Sequence, residues 1–289
     1  MDPASSGRDL VAALRTHDGL EVAEYRQERP FEVRRNGQRP SPEPSLLDFA
    51  QAGQFDWVIA GSESGVTAAD WIADHLRLPC NRPEFLWHRR NKVGMVELAD
   101  SAGLRAPRTS VVTSRAAAAR LVAQIESAGQ VDVIVKPVGS AGSDSCFICR
   151  DADEVEAAVD SVLGESDMFG ARNTEAMVQE RIHGTQYFVN VVSVGGEHTT
   201  TEMFRYGIDE ADSRPHIYSA KTIEHAGPVF ESAEQYVHEL LDVLGVRFGA
   251  SHTELRLEGG LWTLIEYNGR SMGPTIRPTS TSPGEGSAR

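Results

Sequence analysis

The chain has 289 residues, of which 40% are apolar, and its 28 basic against 42 acidic side chains give a formal net charge of −14. That length can bury a sizeable core and fill two or three lobes. The acidic balance argues against a general nucleic-acid binder, which needs a basic footprint, and no apolar run reaches the ~18 residues of a membrane-spanning helix.

The first residues, from Met1 to Arg15, lack a basic start followed by an apolar stretch. A secretory signal is therefore not expected, and the chain reads as cytoplasmic. Residues 1–90 alternate helix and strand patterns. Ser5 to Arg15 has helical spacing. Phe55 to Ala60 reads as a short apolar strand, Gly61 to Gly65 as a turn, and Val66 to Leu76 as a helix. Strand, Gly-rich turn and helix in that order predict a doubly wound, Rossmann-like α/β lobe. Its first strand is missing from the pattern.

Two helices follow. Asn91 caps one over Lys92 to Ala102, with Gly103 as its stop, and Ser114 caps another over Arg115 to Ser127. Residues 131–137 read as a strand that ends on Lys136 and Pro137. A loop of small residues, Gly139, Ser140, Ala141, Gly142 and Ser143, leads to a second strand over 145–149. Cys146 and Cys149 there form a C-x-x-C pair, but the apolar surroundings make them buried strand residues rather than a redox or zinc site. Asp151 to Leu163 has one apolar face of helical period. Strands are expected at 176–180, 186–194 and 197–206, a long polar loop at 207–228, and an amphipathic helix from Glu231 to Leu244. Strands 251–257 and 261–267 make a hairpin around Gly259 and Gly260. The tail beyond about Pro274, rich in Pro, Thr, Ser and Gly, reads as disordered.

Three stretches carry chemistry. In the last hairpin, alternation puts Leu255, Leu257, Ile265 and Tyr267 on one face and His252, Glu254, Arg256, Glu266, Asn268 and Arg270 on the other. With the turn centred on Gly260, Glu254 lies opposite Glu266, and like charges in that relation destabilise a sheet. Two carboxylates and an amide oxygen make a Mg²⁺ site of the kind that also takes phosphate oxygens. An exposed face neutralised by Arg256 is the other reading. In the second stretch, Lys136 precedes a loop whose small residues let backbone N–H groups approach phosphate. An ordinary Gly-rich turn fits equally. It is not a Walker A loop, which ends in Gly-Lys-Ser/Thr. In the third, residues 177–189 run from a strand through a short linker into another strand, and linker backbone groups can read the edge of a base.

Taken in order, these stretches resemble the ATP-grasp superfamily, and within it the carboxylate–amine ligases such as bacterial amino-acid ligases. The likeness runs over roughly residues 55–273. It takes in Gly61 to Gly65, Arg90 to Lys92 with Met95, Ala102 to Pro107, Val135 to Ser143, Gln179 to Tyr187, Ser251 to Glu254, and Ile265 to Arg270. The resemblance implies an α/β (α+β) ATP-grasp fold. A pre-ATP-grasp lobe occupies 1–90, and an ATP-grasp domain 91–273. Within the latter, a lid subdomain of about 107–185 and a metal-binding subdomain of about 186–273 sandwich ATP.

The resemblance also implies roles. Lys92 and Lys136 hold the α- and β-phosphates, and Gly139 to Ser143 close over them. Gln179, Glu180 and Ile182 form the adenine linker, and Gln186 stands where the family has a ribose-binding glutamate. Glu254, Glu266 and Asn268 are the ligands of Mg²⁺, with Mn²⁺ as an alternative ion. Arg270 stabilises developing negative charge. Glu63, His216, Lys221 and His252 are substrate-side candidates, as is His225; a polar surface loop is the other reading of residues 207–228. The expected partners are a small-molecule carboxylate and an amine, with neither nucleic acid nor membrane; a homodimer is left open. Two other functions stay open: a non-catalytic ATP-binding subunit, and an ATP-grasp small-molecule kinase.

Overall fold

Side-chain caps set three of the helix starts of this computed structural model, which describes residues 7–27, 33, 35, 42–139, 145–166, 170, 172–210 and 215–272. Asn91 accepts from the N–H groups of Val93 and Gly94, each at 3.0 Å. Ser114 accepts from Ala117 at 3.2 Å, and Asp151 from Glu154 at 2.8 Å. Each satisfies donors that the helix itself cannot. The helices are α1 (Gly7–Leu14), α2 (Pro44–Ala52), α3 (Val66–His75), α4 (Leu86–Arg90), α5 (Lys92–Ser101), α6 (Arg115–Ala128), α7 (Ala152–Gly164) and α8 (Pro228–Val243). None is long and apolar enough to cross a membrane among the described residues.

The strands are β1 (Thr109–Val112), β2 (Val133–Pro137), β3 (Phe147–Cys149), β4 (Ala176–Glu180), β5 (Thr185–Val194), β6 (Glu197–Asp209), β7 (His216–Thr222), β8 (Gly249–Glu258) and β9 (Leu261–Asn268). They form two sheets, a four-stranded one in the order β1-β4-β2-β3 and a five-stranded one in the order β7-β6-β5-β8-β9. Every pairing is antiparallel. The smaller sheet buries Val133, Val135 and Val178 against Val122 of α6 and Val155, Val159 and Val162 of α7. The larger sheet buries Val189, Val191, Leu255 and Leu264 against Val237, Leu240 and Leu241 of α8 and Met95 of α5. Residues 181–184 join the two sheets.

Three expectations need correction. Phe55 to Ala60 runs without a ladder, and among the described residues no strand precedes Thr109. A strand needs a neighbour for its N–H and C=O groups, and the sequence pattern offered none. This segment is held by side chains instead: Phe55 stacks on Phe49 at 5.3 Å and Trp57 meets Phe248 at 5.7 Å. Among the described residues, the first lobe is thus helices and extended chain.

Second, the polar loop expected at 207–228 is partly sheet. Strand β6 continues to Asp209, and His216 to Thr222 add the edge strand β7. Ile217 and Tyr218 give that stretch the β-branched and aromatic character that suits a pleated surface. Third, Ile265 does not share the Leu255 face. The ladder shifts between Glu254 and Leu255, so that Leu255 pairs with Leu264 and Glu254 with Glu266. One extra residue re-aims the strand, which buries Leu264 completely and turns Ile265 into the cleft. The predicted tail and loop residues Ser140, Ala141, Gly142 and Ser143 lie outside the described residues.

Candidate functional site

A cleft opens between the two sheets, roofed by β2 and the 179–182 linker and floored by β5, β8 and β9. At one end stand two lysines and two glutamates. Lys92 begins α5, whose Asn91 cap fixes its direction. Its Nζ lies 2.9 Å from Glu266 Oε1. Lys136 ends the apolar part of β2, a strand inside its sheet, and is 9% exposed. Burial pushes its ammonium below the ordinary lysine value. Burial also opposes ionisation of Glu266, but Lys92 and Lys136 outweigh it and hold that carboxyl below the usual range.

Glu254 and Glu266 are direct partners across β8 and β9, as the sequence reading placed them. What compensates the pair is not Arg256. Glu254 accepts from Gln186 Nε2 at 2.8 Å and has His252 Nε2 at 3.4 Å, while Lys92 serves Glu266. Asn268 is buried and lies opposite His252. Among the described residues no three His, Cys, Asp or Glu side chains gather into a self-contained metal site. Two facing carboxylates and an amide suit a hard ion that draws its other oxygens from phosphate and water. Phe188, fully buried opposite Glu254, stacks with Phe204 at 4.7 Å and meets Tyr206 at a tilt at 4.6 Å. That aromatic floor fixes the height of the acidic row.

A second cluster crowns this end. Arg270 Nε donates to Glu63 Oε2 at 2.8 Å, and Arg90 pairs with Glu63 through the other oxygen. Burial lowers Arg270, against Glu266 and Glu254, and brings Arg90 down to about 10. Glu63 sits in the turn before α3, and that lobe is pinned from below. Arg89, 2% exposed, donates to Asp70 at 2.8 Å and to the carbonyls of Arg82 and Leu244 at 2.9 and 3.0 Å.

The other end is apolar and holds Ile134, Ile182, Ile208, Pro215 and Ile217. The linker there is less open than its sequence suggests. Glu180 and Arg181 donate backbone N–H groups to Arg108 and Asp132, at 2.8 and 3.2 Å. The Ile182 carbonyl accepts from Arg256 Nη1 at 2.8 Å. The Gln179 amide donates to Thr109 Oγ1 at 3.0 Å, and the Glu180 carboxylate takes Arg108 at 3.1 Å. These two residues therefore shape the cleft from their backbone.

Glu210 was not singled out by the sequence reading, yet it lines the cleft between the two ends. It accepts from Arg181 Nη2 at 2.6 Å and pairs with Arg256. Arg90 and Arg181 were likewise missed. Their only sequence signal was position beside Lys92 and Glu180. His216, Lys221 and His225 are exposed. His216 lies between Pro215 and Ile217 and is not a lining residue, whereas Lys221 lines a separate groove with Arg205 and Tyr218. Gly139 is exposed at the end of β2. Cys146 and Cys149 are free thiols. Burial raises both, Cys149 to about 12, in keeping with a structural role.

Residues 129–279 match the ATP-grasp domain family. Dapdiamide A synthase of Enterobacter agglomerans is 29% identical over 231 residues, which cover 79% of this chain and 54% of that protein. In fold, the L-amino acid ligase of Bacillus licheniformis superposes with a TM-score of 0.62 at 20% identity, over 78% of this chain and 51% of that one. The D-alanine–D-alanine ligase of Bacillus anthracis gives 0.56 at 13% identity, over 79% and 73%. The chain thus spans about half the length of the synthase and of the L-amino acid ligase. With more than half of its residues matched and the same fold in these solved structures, the chain belongs to the ATP-grasp domain family.

Proposed function

We propose that the protein is an ATP-dependent carboxylate–amine ligase that joins amino acids or related natural-product precursors. The observation that carries this reading is the charge layout of one cleft. Lys92 and Lys136 face Glu254 and Glu266 at one end, with an apolar slot at the other and the Arg90–Glu63–Arg270 cluster above. A ligand with an anionic tail and a flat apolar head fits that polarity. The names of the relatives, dapdiamide A synthase and L-amino acid ligase, point to the same chemistry.

In this reading the base lies against Ile134 and Ile182, and the phosphates run toward Lys92, Lys136 and residues 139–143. The segments 107–185 and 186–273 act as the lid and metal-binding subdomains. Glu254, Glu266 and Asn268 would hold Mg²⁺, or Mn²⁺ in its place, which supplies charge neutralisation across the transferring phosphoryl group. A substrate carboxylate oxygen attacks the γ-phosphorus, the bond to the β-phosphate oxygen breaks, and ADP leaves. The amine nitrogen then attacks the acyl carbon, phosphate departs, and the amine proton passes to solvent. Arg270 stabilises the oxyanion of that second step. Positioning, rather than covalent participation by the protein, does the catalytic work.

The test is a phosphate-release screen across pairs of carboxylates and amines, with mass spectrometry of the products. Release that needs both partners, together with an amide product, supports the ligase. ATP-induced thermal stabilisation without turnover across the panel would turn the reading to a non-catalytic ATP-binding subunit. A stable phosphorylated product formed without amine would turn it to a kinase.

A further inference from the structure

We infer that Glu210 is the acceptor for the ribose diol of the nucleotide, in place of Gln186. The inference rests on the nucleotide reading of the cleft. A sugar must lie between the apolar slot that takes the base and the lysine–glutamate end that takes the phosphates. Glu210 stands at that height because two arginines hold it there. Arg181, in the base linker, donates to its Oε2 at 2.6 Å. Arg256, two residues along β8 from Glu254 and therefore on the same face, pairs with its Oε1.

Gln186 is committed elsewhere. Its Nε2 donates to Glu254 at 2.8 Å, and its Oε1 already accepts from Arg256 Nε at 3.2 Å. An ionised carboxylate has about four lone-pair sites. The two arginines use two of them, one on each oxygen, so one remains on each oxygen. Two acceptors on adjacent oxygens match the two donors of a vicinal diol. The arginines also solve an electrostatic problem, since a bare carboxylate so near the phosphates would repel them. Arg181 and Arg256 balance Glu210 and the Asp132 that also pairs with Arg181, so the cluster presents no net negative charge. Burial opposes ionisation of Glu210, but hydrogen bonds from Arg256 and Arg181 outweigh it and keep the carboxyl below its ordinary value.

The experiment compares the affinities of ATP and 2′,3′-dideoxy-ATP for the wild-type chain, for Glu210→Gln and for Glu210→Asp, by calorimetry. Thermal melting without nucleotide verifies that each variant is folded. Wild-type protein is expected to prefer ATP by about tenfold to a hundredfold, the range for hydrogen bonds to a charged group. Glu210→Gln should bring that preference to about threefold or less. Glu210→Asp, which keeps the charge but retracts it by one methylene, should fall between. The preference is a ratio, so general loosening of the cleft, which weakens both ligands, does not move it. An undiminished preference in both variants, or none in the wild type, overturns the inference while leaving ATP binding intact. If folded wild-type protein binds neither nucleotide, the nucleotide reading itself falls and this inference falls with it.

Discussion

Lys92 Nζ lies 2.9 Å from Glu266 Oε1, so the first residue of α5 meets the third-last residue of β9 in the cleft. The cation proposed for phosphate and the carboxylate proposed for metal neutralise each other. Binding of a metal–nucleotide complex would exchange that one pair for two new ones. The Glu266→Gln variant therefore has two separable effects. It should lower turnover at least about a hundredfold, since a carboxylate that neutralises transferring charge is lost. It should also destabilise the ligand-free protein by about 1–3 kcal/mol, because Lys92 loses its charged partner in a poorly hydrated site. Steady-state phosphate release and urea unfolding measure the two. Unchanged turnover would remove Glu266 from the metal site.

Arg270 and Glu63, 207 residues apart in the chain, are brought within 2.8 Å. If Arg270 stabilises charge that develops only during reaction, Arg270→Lys should lower kcat by about 10²–10³ with less than a threefold change in ATP affinity. A lysine keeps the charge but not the planar fork that Glu63 and a substrate oxygen can share. Calorimetry with ATP and single-turnover kinetics separate the effects. Equal losses in both would mean that Arg270 serves the nucleotide rather than the reacting carbonyl.

Burial of Lys136 gives a pH prediction with two opposite slopes. Its ammonium is depressed below the ordinary 10.5, so from the folded value up to 10.5 the unfolded chain holds the extra proton. Ligand-free stability therefore rises with pH across that window, since stability rises wherever the unfolded state binds more protons. Nucleotide affinity behaves oppositely. It needs the charged amine, is steady at lower pH, and falls as pH climbs through the depressed value. Dissociation constants and urea midpoints from pH 7 to 10.5 read both. Lys136→Arg, charged throughout, should flatten the two curves, and an alkaline fall of the same steepness in that variant would dismiss Lys136 as the titrating group.

Much of this site was legible in the chain because strand alternation and ladder register are local rules. The Asn91, Ser114 and Asp151 starts followed from capping chemistry, whereas the pair Glu254 and Glu266 followed from a turn centred on Gly260; the observed Gly259–Gly260 turn alone would set Glu254 opposite Ile265, and the bulge restores the pair. What failed was non-local. The bulge at Ile265 depends on which neighbour fills the core, and Leu264 wins that place against α8. The strand pattern at Phe55 was real in hydrophobicity, but no described segment pairs with it. Glu210 could not be placed because its meaning comes from Arg181 and Arg256, residues far away in sequence, and because β6 extends further than its polar composition suggested. Ion-pair networks across two sheets leave no periodic trace in a single chain.

The joint between the sheets gives a last prediction, and it isolates one contact. Gly184 ends the linker at φ +88, and a Cβ there would overlap the backbone carbonyl of Leu257. Gly196, in the β5–β6 turn, has a similar φ of +92 but opens into empty space. Alanine at either site pays the left-handed backbone cost of about 1 kcal/mol. Only at position 184 must a ladder also move, because Thr185 pairs with Leu257 and Gln186 with Arg256 directly beyond it. Gly184→Ala should therefore destabilise the protein by at least ~2 kcal/mol, and by ~1 kcal/mol or more beyond Gly196→Ala. Because the displaced ladder carries Arg256, the variant should also lose ATP affinity, which Gly196→Ala should not. Urea midpoints and nucleotide titrations on the pair decide it. Equal costs at the two positions would show that backbone conformation alone, and not close approach to Leu257, requires glycine at the joint.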